Sequence, residues 1–352
     1  MYPSLVTDLT KIKHNAQFLK RQSLKHGIEI MAVTKSFCAE PTVAQAMIDA
    51  GVTMLADSRI SNLERMKDLA AEKVLLRLPM ISEAEQVVKY ADISLNSEIE
   101  TMRALSKSAI NQSKIHRVIL MVDLGDLREG VLPQDLNSLV ESVLPLKGIE
   151  ITGLGVNLTC YGGVMPDANN LGQLVALAKE VEAKFKLNLK WISGGNSSSL
   201  YLYEKGDMPE DINLLRLGEA IVLGRETAFG NVIEGTFTDV FTLEAEVIEL
   251  KEKGSLPTGT IGMDAFGGHP TFTDKGQMVR AILAIGRQDV NPSGLTPHDE
   301  RIEVIGASSD HLIMDFTRAN QDYKVGDVVK FNVEYGALLN LWTSHYIHKR
   351  MV

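Results

Sequence analysis

A chain of 352 residues with 45% hydrophobic content can bury a core large enough for one sizeable domain and a smaller second one. A net charge of −9 and the lack of any Lys/Arg block argue against a phosphate-tracking surface, so small-molecule chemistry is expected and nucleic acid is not. Two cysteines, Cys38 and Cys160, make no disulfide framework or zinc cluster, the segment Met1 to Asp8 has no signal-peptide pattern, and no apolar run reaches the ~20 residues of a membrane span; a soluble, cytoplasmic protein without structural metal is expected.

Short apolar runs alternate with helical stretches along the first two thirds of the chain. The strands read as Ile30 to Thr34, Met54 to Ala56, Val74 to Leu78, Ile93 to Leu95, Arg117 to Val122, Ile151 to Val156, Trp191 to Ser193 and Leu214 to Leu217. Between them Thr42 to Ala50, Ser82 to Tyr90, Glu98 to Ser113 and Leu171 to Phe185 carry helical spacing. Parallel strands joined by helices follow, and eight of them predict a closed (β/α)8 barrel over residues 1–230, with residues 1–9 free to join whatever comes after.

Beyond residue 230 the pattern changes. Phe241 to Lys251, Arg280 to Arg287, Glu303 to Ala307, His311 to Phe316 and Val328 to Val333 read as strands without long helices between them. The connectors Gly254-Ser-Leu-Pro257, Gly267-Gly-His-Pro270 and Asn291-Pro-Ser-Gly294 carry turn chemistry, so residues 231–352 predict an antiparallel β domain.

Charged and small polar residues gather at the predicted strand ends. Lys35 closes the first strand, where barrels keep their chemistry and where a Schiff-base lysine would stand; the bland reading is a lysine reaching for solvent. After the seventh strand, Ser193-Gly-Gly-Asn-Ser-Ser-Ser199 offers free amides and hydroxyls in the position barrels use for phosphate, against the alternative of a flexible turn. Arg216 stands among apolar neighbours in the eighth strand and needs a partner, either a ligand acceptor or a carboxylate such as Glu219 or Glu226. Arg128 lies in the loop after the fifth strand, where a solvated surface arginine is the ordinary reading.

Taken together, Val33-Thr34-Lys35, Val122-Asp123-Leu-Gly125 with Arg128 and Gly130, Asn196-Ser197 and Arg216-Leu217-Gly218 resemble the alanine racemase family of fold-type III pyridoxal 5'-phosphate (PLP) enzymes. The likeness runs from residue 2 to about residue 340. The runs Thr34 to Cys38, Leu124 to Gly130, Asn157 to Gly163, Ser193 to Ser199, Gly262 to Phe266 and Gly306 to His311 are most similar to family members that racemise ornithine. The resemblance implies that Lys35 binds the cofactor and moves the Cα proton on one face of the substrate. It implies that Gly195, Asn196, Ser197, Ser198, Gly218 and Tyr335 surround the phosphate, that Asn157 and Arg128 line the cofactor, and that Arg216 faces the pyridine nitrogen. An arginine there leaves the ring unprotonated and a weaker electron sink, which suits transfer of one proton by two opposed bases. A head-to-tail homodimer with shared sites is also implied.

The sequence departs from the family at the second base. Where the family has a tyrosine after an Ile-Gly dipeptide, Ile285-Gly286 is followed by Arg287, which cannot act as a base at ordinary pH. The opposing acid/base is sought among His311, Cys160, Tyr335 and Asp310. His311 is favoured because imidazole titrates near neutrality, with a structural histidine as its plain alternative. A diamino substrate needs an acceptor for its distal ammonium, and Asp289, Asp310, Glu129 and Asp126 are open choices. Racemisation of alanine, lysine or serine, a D-amino-acid lyase or aldolase of the same fold, and a non-catalytic cofactor carrier are the alternatives.

Overall fold

Eight parallel strands close on themselves in the computed structural model, which describes residues 1–352. Two compact units emerge, residues 10–238 and residues 1–9 with 239–352. A first strand, β1 (Ser4–Thr7), belongs with the second unit. The barrel strands are β2 (Glu29–Val33), β3 (Met54–Asp57), β4 (Glu72–Leu75), β5 (Ile93–Asn96), β6 (His116–Met121), β7 (Ile149–Gly155), β8 (Trp191–Asn196) and β9 (Leu214–Leu217), and β9 pairs with β2 to complete the ring. Each strand is short and largely buried, with helices returning the chain outside, so all carboxyl ends share one rim.

Alternate side chains fill the barrel. Met31 and Val33 from β2, Met54 and Ala56 from β3, Val74, Ile93 and Leu95, Ile119 and Met121 from β6, and Trp191 and Leu214 form one buried cluster. The period of two that points Leu214 inward also points Arg216 inward, one layer nearer the rim.

The barrel and its sequel are as the alternation predicts, with shifts at the ends of elements. The predicted strand Val74 to Leu78 stops at Leu75, because Pro79 and the residues before it turn away from the ladder. The seventh barrel strand runs on through Gly194 and Gly195 to Asn196, so the Gly-Gly pair lies in the strand and only Ser197–Ser199 forms the following 3-10 turn.

The second unit is an eight-stranded sheet. Its path runs β12 (Leu295–Pro297), β15 (Val328–Val333), β10 (Phe241–Gly254), β11 (Gln277–Leu283), β14 (Leu312–Asp315) and β13 (Glu303–Ala307). Off this path, β1 pairs antiparallel with β10 and parallel with β16 (His348–Met351). One helix, Tyr335–Thr343, interrupts the strands where none was expected. Its Ala337, Leu338 and Leu341 are buried, which is why the segment coils into a helix.

Candidate active site

Five neighbouring barrel strands carry the polar residues of the rim. Going round the ring, β2 leads to Lys35, β9 holds Arg216, β8 ends at Asn196, β7 leads to Asn157, and β6 leads to the loop bearing Arg128. Register sets Arg216 beside Met31 on one side and beside Asn196 on the other.

Lys35 opens a single 3-10 turn, Lys35–Phe37. The turn is anchored on both flanks. The Thr34 amide and hydroxyl both reach the Ala56 carbonyl, and the hydroxyl also donates to Asp57 Oδ2 at 2.6 Å. Ser36, Phe37 and Ala39 are buried, whereas Lys35 is exposed. The covered neighbours fix the backbone and leave the lysine presented at the rim. Asp57, which the sequence reading passed over, is fully buried and also accepts from Asn62 and the Arg59 amide. Burial raises its pKa, and the bonds from Thr34 and Asn62 oppose the rise.

Arg216 is 4% exposed and donates to Ser193 Oγ, to the Val156 carbonyl at 2.7 Å and to Asn157 Oδ1 at 3.2 Å. All three partners are neutral. The alternative of a direct pair with Glu226 is overturned, because that carboxylate accepts the backbone amides of Ala228, Phe229 and Asn231 instead. Burial pushes the Arg216 guanidinium down to about 10, with the Glu129 carboxylate pulling the other way, so the group stays cationic at pH 7. A guanidinium has five donor hydrogens; three are committed here, and its Nε is free for an acceptor in the barrel mouth.

The Gly/Ser run makes a built recess. Asn196 Oδ1 accepts the Ser198 amide at 2.8 Å and caps the turn, while Ser197 Oγ accepts the Ala220 amide and ties the recess to the start of helix Glu219–Leu223. Gly218 stands just before that helix. Ser198 is 0% exposed and its Oγ has no hydrogen-bond partner. An orphaned buried hydroxyl of this kind awaits an acceptor, and a phosphate oxygen meets that need.

Arg128 and Glu129 sit in a loop that closes on itself. Asp123 Oδ1 accepts the amides of Gly125 and Leu127, the Asp123 amide donates to the Val131 carbonyl, and Val131 returns a bond to Met121. Gly130 is required at the closure: its φ is +135° and a Cβ there would overlap the Asp123 amide. Asp126, one of the suggested acceptors for a distal ammonium, is buried and takes the amides of Cys160, Tyr161 and Val164. It fastens the loop after β7 to the loop after β6 and has little capacity left for a ligand. Asn157 Oδ1 accepts from Asn196 and Arg216, and Asn196 Nδ2 also lies 3.5 Å from the exposed Cys160 Sγ.

The remaining residues lie in the sheet unit. His311 is exposed at the tip between β13 and β14, with Nδ1 3.4 Å from Ser308 Oγ. The amides of Arg287 and Gln288 donate to the carbonyls of Ser308 and Ser309, so Arg287 and His311 share one tip. Gly286 permits that approach, since a Cβ there would overlap Ser309 and Asp310. The Arg287 guanidinium lies 4.7 Å from the Phe266 ring centre. Asp310 is exposed and accepts only the Ser309 hydroxyl, whereas Asp289 is buried and accepts the Ser344 hydroxyl. Tyr335 opens the helix Tyr335–Thr343 and is half-buried.

A parallel barrel with a lysine after its first strand, followed along the chain by an antiparallel sheet, is the architecture of fold-type III pyridoxal-phosphate enzymes. Residues 7–226 match the family profile "Alanine racemase, N-terminal domain". The chain belongs to the alanine racemase family, within the isomerases that racemise amino acids. It is 51% identical to the ornithine racemase of Acetoanaerobium sticklandii over all of both chains, and 40% identical to the lysine racemase of Thermotoga maritima over 99% of this chain and 98% of that one. Among solved structures, the alanine racemase of Bartonella henselae with covalently bound pyridoxal phosphate superposes with a TM-score of 0.74 at 19% identity, covering 99% of each chain.

Proposed function

We propose that this chain binds pyridoxal 5'-phosphate and interconverts the enantiomers of ornithine, as a cytoplasmic head-to-tail homodimer with shared sites. The observation that carries the cofactor is the combination on one barrel rim of Lys35, the orphaned Ser198 hydroxyl and the buried Arg216 with an uncommitted donor. What favours ornithine is full-length identity of 51% to a protein of that activity. No helix is long and apolar enough to cross a membrane, in keeping with a free amino acid as substrate.

The residues fit the group. Asn196, Ser197 and Ser198, with Gly195, Gly218 and Tyr335, would hold the phosphate, and Asn157 and Arg128 would line the remainder. When bound, the cofactor supplies an electron sink that acidifies the substrate Cα–H. Lys35 would anchor the group and would hold or return the Cα proton on one face. Arg216 would face the ring nitrogen and donate to it without surrendering its proton, which would keep the sink moderate. Arg128 offers a forked cation to the substrate carboxylate. In the proposed dimer with shared sites, His311 would deliver the proton on the opposite face, supported by its exposure and its place on the Arg287 tip. Of the four carboxylates suggested for the distal ammonium, Asp310 is exposed and accepts one hydroxyl, whereas Asp289 is buried, Glu129 holds Arg128 and Asp126 holds three amides.

Adding each enantiomer of ornithine, lysine, alanine and serine and following optical rotation tests the reading, with ornithine expected to lose rotation fastest. No inversion of any of them by cofactor-loaded protein would sink it. His311→Ala is expected to slow racemisation by roughly 10² to 10⁴, and Cys160→Ala by far less. Equal, small effects would move the second proton to Tyr335 or Asp310.

A further inference from the structure

The residue after Arg128 is a carboxylate held from two sides. Glu129 grips Arg128 at Nε and Nη2 in a two-point pair and accepts Asn157 Nδ2 at 3.3 Å. Its side chain is 14% exposed, against 39% for Arg128. Asn157 carries the link onward, since its Oδ1 accepts from Arg216 at 3.2 Å and from Asn196 at 3.0 Å. One anion therefore stands between two guanidiniums, one of which lies in the barrel mouth.

A planar fork held along one edge has a fixed direction for the other. With the Nε hydrogen and one Nη2 hydrogen committed to Glu129, the edge formed by Nη1 and the second Nη2 hydrogen is the one Arg128 can offer to a second anion. A carboxylate gripped in this way is also a poor acceptor for a substrate ammonium, which would have to displace Arg128.

We propose that Glu129 is a positioning residue: it sets the plane of Arg128 towards the substrate carboxylate and, through Asn157, ties that arginine to Arg216 and the phosphate recess. The proposal rests on the racemase reading for its catalytic consequence, but the placement of Arg128 can be read without catalysis. Burial works against the charge on Arg128, and Glu129 more than offsets it, so the guanidinium is held above its ordinary value.

The experiment compares Glu129→Gln, which removes the charge and keeps the shape, with Glu129→Asp, which keeps the charge and shortens the reach. Four quantities are measured: kcat and KM for ornithine, the thermal midpoint, and the rate at which phenylglyoxal modifies Arg128, followed by peptide mass mapping with and without bound pyridoxal phosphate. In Glu129→Gln, kcat is expected to fall roughly 10- to 100-fold with the midpoint nearly unchanged, and Arg128 to be modified severalfold faster. Glu129→Asp is expected to recover part of both. An Arg128 modification rate equal to that of the unaltered protein overturns the proposal, and so does an unchanged kcat. If the unaltered protein racemises nothing, the functional reading fails by itself and the modification rates still decide whether Glu129 places Arg128.

Discussion

Single buried side chains at and around the rim carry distinct burdens. Asp126 satisfies three backbone amides of the loop after β7, so Asp126→Ala leaves three donors without their acceptor. A loss of about 2 to 4 kcal/mol is expected, together with faster hydrogen exchange at Cys160, Tyr161 and Val164; slow exchange there in the variant would refute the role. His116 bears on acid stability. It is buried against Ser94, 2.8 Å away, and burial lowers its pKa from 6.5 to about 4, with Asp92 opposing. Because the unfolded chain protonates first, stability is unaffected above pH 6.5 and drains as pH falls from 6.5 towards 4, by on the order of 3 kcal/mol. Denaturant titrations of His116→Gln across that range should show a flatter pH dependence. The placement of Lys35 at a strand end and of Arg216 among buried apolar neighbours was legible in the sequence, because each lies in or beside a compact apolar run. The Glu129, Asn157 and Arg216 chain was not, because its partners lie 28 and 59 residues apart and meet only when neighbouring strands bring their loops together.

At the scale of elements, short loops on a stiff scaffold determine the site. The Arg287 and His311 tip depends on Gly286 lying against Ser309, so Gly286→Ala must push the tip away. Racemisation is expected to fall by roughly tenfold or more while the absorbance of bound cofactor persists, since the recess proposed for the phosphate belongs to the barrel unit. An active variant would mean that the tip does not contribute to the chemistry. The barrel strands were readable because each is a compact apolar run between polar helices. The strands β1, β12 and β16 escaped notice for a physical reason. They are three or four residues long, and His348-Lys-Arg-Met351 in β16 has no apolar alternation, being a strand by virtue of its pairing with β1. The Gly-Gly pair suggested a loop but lies in β8, where absent side chains allow close packing against Ile212 and Ser199.

Across the whole molecule, the sheet unit is assembled from both ends of the sequence. Residues Ser4 to Thr7 lie between β10 and β16, with Ser4 opposite Glu244 on one side and His348 on the other. Glu244 adds charge to the junction, accepting from Ser4 and Arg350. Removing residues 1–7 is expected to strip β16 of its one partner strand and lower the thermal midpoint by several degrees; an unchanged midpoint would show that the strand adds nothing. The same pairing constrains how the protein comes into being. A ribosome emits Thr7 long before either neighbour, so the early strand stays unpaired until β10 emerges and keeps one edge open, within reach of other nascent chains, until Met351 follows. Slowing elongation through the last hundred codons should therefore increase aggregation of this chain far more than slowing it through the first hundred.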